Sequence, residues 1–343
     1  MKVSTQIGRG PDPKEIIVRA QDLERVGVDG LWTGEAYSAD GVSLMGFLAA
    51  VTDHVEIGSS ILPLYTRTPT LLAMTAVGID ALSQGRCILG IGASGPQVIE
   101  GFHGVAYDAP VGRTAEIIEI CRQVWRREAV SFSGASYTVP LPPDRGTGLA
   151  KPIKLVDHPV RERIPIYVAA LGPRNVALAA EMAEGWLPLH FWPERAKEVW
   201  GDGLASGSAR RSPDLPPLEI VAGGAFALGD GIEHLRDKAR PMLALYFGGM
   251  GARSKNFYNE LLRRYGYEKE AELIQDLYLS GQRKEAAAAV PAELVDATSL
   301  IGPPGWVKER VEAFREAGVT NLLVQASGPN PLRDLEQLRS WLT

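Results

Sequence analysis

Eight short apolar or β-branched runs, most of them followed by a turn and a helix-forming stretch, constrain this 343-residue chain more than any other feature. The runs are Val3–Ile7, Asp29–Thr33, the stretch opening at Val55, Cys87–Ile91, Ile164–Ala169, Gly185–Leu189, Leu218–Ala225 and Val319–Gln325. Several following helices carry a start signal. Asp12-Pro13-Lys14-Glu15 offers a cap and a first-turn proline, and Thr68-Pro69 does the same, because proline there lacks only a donor that would be unpaired anyway. Alternation of this kind over this length predicts an α/β fold, a single (β/α)8 TIM barrel with insertions. A doubly wound sheet is the alternative, but no GxGxxG with a following acid comes after the first strand. Two stretches break the rhythm. Residues 129–163, rich in Gly, Pro and Ser, predict an inserted hairpin and loop, and residues 231–295 a helical insertion.

Composition narrows the function classes. Net charge is −5 and no long basic run occurs, so no nucleic-acid partner is expected. The two cysteines, Cys87 and Cys121, form no CxxC or Cys/His cluster, which leaves no metal site to propose and suggests reduced, buried thiols. No segment approaches the ~18–20 apolar residues of a membrane span. The N-terminus begins as a strand and not as a signal peptide, so a cytoplasmic protein with no membrane partner is expected.

In a barrel, chemistry sits at the C-terminal ends of the strands. Those positions hold Gln6, Gly8 and Arg9 after strand one, Glu35 and Tyr37 after two, Ser60, Ile61, Tyr65 and Arg67 after three, and Gly92 to Gln97 after four. Ala170 to Asn175 follow strand five, His190, Phe191 and Trp192 follow six, and Gln325 and Ser327 follow eight. Gly92-Ala93-Ser94-Gly95 and Ala170-Leu171-Gly172 present small side chains and free backbone N–H groups that can approach a phosphate, with the helix after Pro173 adding its dipole and Arg174 its charge. Ordinary βα turns are the plainer reading of both. Glu35 is a candidate base or a hydrogen-bond partner of a cofactor ring; alternatively it is a loop carboxylate paired with Arg67 or Arg9. His190 is a candidate acid/base or substrate contact, or a packed histidine in an apolar run. No Ser/His/Asp set, Walker A or HExxH is present, and the lack of an acid/base set favours chemistry carried by a cofactor.

These residues resemble a known family. Gly58-Ser59-Ser60-Ile61-Leu62-Pro63-Leu64-Tyr65-Thr66-Arg67-Thr68-Pro69, Leu82-Ser83-Gln84-Gly85-Arg86 and Leu89-Gly90-Ile91-Gly92-Ala93-Ser94-Gly95-Pro96-Gln97-Val98 are similar to motifs of the bacterial luciferase-like monooxygenase superfamily. Ala179-Ala180-Glu181-Met182-Ala183-Glu184-Gly185-Trp186 and Ile301-Gly302-Pro303-Pro304 extend the likeness over nearly the whole chain. Ser94 to Val98 and Leu243 to Gly251 look most like the actinobacterial branch that uses the deazaflavin coenzyme F420.

The resemblance implies a luciferase-like TIM barrel, a homodimer, and an oxidoreductase moving hydride between the deazaflavin C5 and a small organic substrate at the barrel mouth. A reduced-FMN monooxygenase is the alternative, and a catalytically silent flavin-binding barrel the alternative of another class. It also implies a cis peptide at Ser60–Ile61 behind the ring. Glu35, Ser60, Ile61, Gly92, Ala93, Ser94, Gly95, Pro96, Gln97, Val98, Ala170, Leu171, Gly172 and Pro173 match its cofactor positions. Two departures put the proton donor in question: Ala36 stands where some relatives carry His, and Gly95 where the sugar-phosphate dehydrogenase branch carries Glu. Glu35, His190, Tyr65 and Tyr246 are the candidates. An apolar substrate wall is expected from Tyr65, Phe191, Trp192, Tyr246 and Phe247, unless these pack around an insertion.

Overall fold

The computed structural model describes residues 1–8 and 12–342. Arg9, Gly10 and Pro11, part of the expected loop after the first strand, lie outside the described residues. Eight parallel strands close on themselves: β1 Lys2–Gln6, β2 Gly30–Thr33, β3 Glu56–Ser59, β4 Cys87–Gly92, β5 Ile166–Ala169, β6 Gly185–Leu187, β7 Glu219–Leu228 and β8 Asn321–Ala326. Each pairs with its successor, and β8 returns to β1 through Lys2 opposite Asn321, so the barrel has no free edge. Around it lie α1 Pro13–Arg25, α2 Gly41–Val51, α3 Pro69–Leu82, α4 Pro110–Trp125, α5 Pro173–Met182, α6 Pro193–Ser208, α7 Pro304–Glu316 and α8 Pro331–Ser340. Seven of these eight open on proline, which sets φ for the first turn where no donor is needed. Asp12, Asp40 and Thr68 cap α1, α2 and α3 by accepting from the amides of Lys14, Ser43 and Leu71.

The barrel interior is filled and not hollow. Trp32, Ile88, Tyr167, Leu187 and Val221 pack together, joined by Ile61, Ala169 and Leu323. Its base is closed by charge: Lys2 Nζ lies 3.0 Å from Glu56 and 3.2 Å from Glu219, and the Tyr167 hydroxyl donates to Glu219 at 2.6 Å. The larger apolar layer lies between strands and helices.

The two rhythm-breaking stretches have different characters. Before β5, Phe132–Ser133 pairs antiparallel with Thr138–Val139, and the rest is largely irregular. Arg161 anchors its end, donating to fully buried Asp80 and, at 2.6 Å, to the Cys87 carbonyl. After β7 the chain is helical, with Phe257–Arg264 and Glu268–Leu279 the longest pieces. Strand seven runs three residues beyond the expected Ala225 because Phe226–Leu228 gains a partner, Leu300–Gly302, that periodicity did not reveal. Strand six stops at Leu187, where Pro188 has no N–H to give. Among the described residues no helix is long and apolar enough to cross a membrane.

Two glycines set how closely the strands approach. A Cβ on Gly58 would stand 2.3 Å from the Trp32 ring, and one on Gly90 only 1.7 Å from the Ser59 carbonyl oxygen. The Ser59 hydroxyl fills the remaining space, donating to Gly90 O at 2.7 Å and accepting from Gly90 N at 2.9 Å. Gly90→Ala is therefore expected to destabilise the protein by about 3–5 kcal/mol in urea unfolding, through overpacking against backbone that cannot give. Gly95→Ala, whose Cβ would meet nothing within 4 Å, is expected to fall within about 0.5 kcal/mol of wild type.

Candidate active site

The C-terminal ends of β2 to β6, with the helical insertion above them, form the mouth. The Ser60–Ile61 peptide is cis, as the resemblance implied. Its flanks are held by Ser60 N donating to Thr33 O at 2.6 Å and Glu35 N donating to Ile61 O at 3.3 Å. The Ile61 side chain lies at the top of the barrel core. A Cβ on Gly92 would be 3.2 Å from both Ile61 and Ala169, so these three residues pack against one another at the top of the core, with Ile61 and Ala169 half-buried. Beside it, Ser94 sits at φ +57 and starts the turn into the short helix Pro96–Gly101. Ala93, Ser94, Gly95 and Pro96 are half-buried, Gln97 is exposed and Val98 half-buried.

On the other side of this contact, the Ala170 and Leu171 carbonyls turn outward, accepting from Trp186 Nε1 at 2.9 Å and Trp200 Nε1 at 3.0 Å. Gly172 and Pro173 are exposed where α5 begins, and no side chain caps that helix. A Cβ on Gly172 would meet nothing within 4 Å, and Asn175 Oδ1 in the first turn is buried without a hydrogen bond. Uncapped first-turn amides, open space and a helix dipole suit an anionic group.

Glu35 does not stand free. Arg67 grips its carboxylate at 2.7 and 3.0 Å, the Gly41 amide donates at 2.8 Å, and Arg67 also reaches Asp40 at 2.7 Å. Of the readings open to Glu35, the pairing with Arg67 is the one observed. With its oxygens occupied by these donors, the carboxylate serves to pin the β2 and β3 loops together. Tyr65 is likewise committed: its hydroxyl donates to Asp108 O at 2.7 Å, its ring lies 5.1 Å from Tyr107 and under Arg113, and burial pushes its phenol pKa upward. Its hydroxyl is thus engaged with the backbone and its ring is buried against its neighbours.

Phe191 and Trp192 also need correcting as substrate wall. Phe191 is 2% exposed and stacks on Trp200 at 5.3 Å, with Trp186 and Phe314 around it, in the layer between barrel and helices. Trp192 packs on Tyr265 and Tyr267. The chain reverses just before them: His190 lies at φ +54, a left-handed conformation in which histidine is among the better tolerated side chains.

His190 and Tyr246 are brought together. The imidazole stands 4.9 Å from Tyr246, 5.1 Å from Phe247 and 6.1 Å from Tyr258, ring centre to ring centre. Its carbonyl accepts from the Tyr265 hydroxyl at 2.9 Å, which holds the strained backbone. Nε2 is buried with no hydrogen-bond partner, and burial pushes the imidazole pKa down to about 4. Tyr258 and Tyr107 are parts of this mouth that the sequence did not single out, and fully buried Tyr265 supports it through the His190 carbonyl; all three come from irregular or inserted segments where no periodicity marks a facing side.

The family model for luciferase-like monooxygenases matches residues 1–321. A Mycobacterium tuberculosis protein provisionally named as a coenzyme F420-dependent oxidoreductase is 40% identical, over 98% of this chain and 99% of its own length. The 5,10-methylenetetrahydromethanopterin reductase of Archaeoglobus fulgidus is 27% identical over 95% of this chain and 94% of its own. Among solved structures, the coenzyme F420 dependent tetrahydromethanopterin reductase from Methanopyrus kandleri superposes with a TM-score of 0.79 at 21% identity, covering 98% of this chain and 96% of that one, which speaks to the fold. The chain belongs to the luciferase-like monooxygenase family, and it is an enzyme and not the silent barrel considered as an alternative.

The buried imidazole has a measurable consequence. In the unfolded chain His190 titrates at its ordinary 6.5, whereas in the folded protein it stays neutral until about pH 4. Protons bound only by the unfolded state erode stability as pH falls from about 6.5 to about 4. NMR of the folded protein should show the His190 ring signal flat from pH 8 to 5, and His190→Asn should lose this part of the acid destabilisation in unfolding curves.

Proposed function

We propose that the chain is a coenzyme F420-dependent oxidoreductase acting on a small organic substrate at the barrel mouth. The observation that carries this reading is the pairing of a close apolar contact at the strand ends, Ile61–Gly92–Ala169, with the open, uncapped start of α5, in a chain 40% identical along its length to a relative named for that cofactor. These apolar groups fit the face of a planar ring, and the α5 amides with Gly172 and Pro173 fit a phosphate. Gly92 to Val98 would border the ring, and Ser60–Ile61 would support it from behind. When bound, a deazaflavin supplies a carbon centre that gives or accepts hydride and reacts poorly with oxygen, which sets it apart from FMN.

This chain's own residues do the rest. Arg67, Glu35 and Asp40 fix the rim on the β2–β3 side. Lining aromatics exclude water, so that the substrate is held in one orientation. Among the candidates for proton transfer, Glu35 and Tyr65 are engaged elsewhere. His190 and Tyr246 are left, and their nearest neighbours are uncharged. A second copy of the chain completes the reading: Leu71, Met74 and Leu82 leave an apolar face of α3 exposed, which suits a homodimer.

Titration of the purified protein with oxidised coenzyme F420, and in parallel with FMN, tests the proposal through cofactor fluorescence. Micromolar or tighter F420 binding with FMN at least tenfold weaker is expected. The reverse order would overturn it in favour of an FMN-dependent oxygenase.

A further inference from the structure

Three side chains hold the turn between β5 and α5 from its buried side. Trp186 Nε1 donates to the Ala170 carbonyl at 2.9 Å, and the Leu171 carbonyl accepts from Trp200 Nε1 and from Arg264, each at 3.0 Å. The two tryptophans are 0% and 1% exposed and their rings stand 5.3 Å apart, so both carbonyls turn to the same, inner side. Arg264 arrives from the helical insertion, at the end of Phe257–Arg264, and its guanidinium also donates to the Val199 carbonyl on α6. Its partners are these carbonyls and not a carboxylate.

A peptide unit is planar, and when it is trans its C=O and N–H point in opposite directions. Among the described residues the cis bonds are Ser60–Ile61 and Val139–Pro140, so the peptides joining Ala170 to Leu171 and Leu171 to Gly172 are trans. With both carbonyls drawn inward, the Leu171 and Gly172 N–H groups face the opposite, exposed side of the turn. Neither donates to another group among the described residues. Gly172 is exposed, and a Cβ there would meet nothing within 4 Å. Successive N–H groups turned the same way, unpartnered and with open space before them, make a concavity for an anion.

We infer that Arg264 and Trp200 are positioning residues for the phosphate of the cofactor: by holding the Leu171 carbonyl they aim the Gly172 N–H at that group. Trp186 does the same for the Leu171 N–H through the Ala170 carbonyl. The inference rests on the proposed reading of this turn as the phosphate end of a coenzyme F420 site. A peptide oriented before the ligand arrives needs no reorganisation on binding, so affinity for the phosphate depends on side chains that never touch it. The helical insertion then acts on both sides of the mouth. Tyr265, next to Arg264, donates to the His190 carbonyl at 2.9 Å and accepts from the Trp192 amide at 3.1 Å.

Coenzyme F420 and its deazaflavin–ribitol fragment, which lacks the phosphate tail, separate the phosphate from the ring. Cofactor fluorescence reads their binding to the full chain without turnover. The unmodified protein is expected to bind F420 about tenfold more tightly than the fragment, as charge-assisted hydrogen bonds to phosphate require. In its NMR spectrum the Leu171 and Gly172 amide protons should move downfield with F420 and not with the fragment. Arg264→Gln shortens the side chain and removes the guanidinium fork, and Trp200→Phe removes the indole donor without changing charge. Each is expected to weaken F420 binding by about five- to tenfold while fragment binding stays within about twofold. Equal loss for both ligands marks a merely structural role, and loss in Arg264→Gln without loss in Trp200→Phe marks simple charge attraction; either would overturn the inference. Amide protons that stay in place when F420 binds the unmodified chain would do the same, and that measurement needs no variant to fold. No F420 binding by the unmodified chain would sink the cofactor reading itself, and this inference with it.

Discussion

Contact between the end of β3 and the middle of β4 underlies the rest of the site. The Ser59 carbonyl passes where a Gly90 side chain would be, and the Ser59 hydroxyl clasps both polar groups of the Gly90 backbone. Backbone satisfied by a side chain at such close range leaves no slack in the strand ends. The cis peptide that follows, the Ile61 side chain on the core and the Ile61–Gly92–Ala169 contact are all placed by that clasp. The Glu35–Arg67 pair works from the neighbouring side, tying the β2 loop to the β3 loop across the rim.

The insertion after β7 decides the electrostatic character of the mouth. It covers His190 with Tyr246, Phe247 and Tyr258 and anchors the His190 backbone through Tyr265. Apolar cover of this kind disfavours a charged imidazole, so the site offers a neutral ring where a solvated loop would offer a titrating cation. Such a mouth offers ring contacts to a substrate, and it depends on a bound cofactor for redox chemistry.

Much of the barrel was legible because its signals are local. Proline and cap residues mark helix starts within a few positions, and β-branched runs mark strands. What was misread depends on chain direction. Phe191 and Trp192 follow β6 as expected of mouth residues, but Pro188 and the left-handed His190 turn the chain so that Phe191 enters the outer layer and Trp192 packs against the helical insertion. No pattern in Leu187-Pro188-Leu189-His190 announces that reversal, since histidine is not a residue that a turn rule would pick out. Glu35 was legible as an acid at the rim, but the choice among base, cofactor contact and ion pair rested on Arg67, thirty-two positions away.

From the amino-acid order alone came the barrel, the alternation of its strands and helices, and several helix starts. These follow from periodicity and from backbone preferences of Gly, Pro, Ser, Thr and Asp, which act over a few residues. Tertiary structure alone decided which carboxylate was engaged, which aromatic rings faced the mouth, and that His190 met Tyr246 and Tyr258 from a segment more than fifty residues later. Those outcomes depend on burial and on partners brought together by barrel closure, and neither is encoded within any local stretch of the chain.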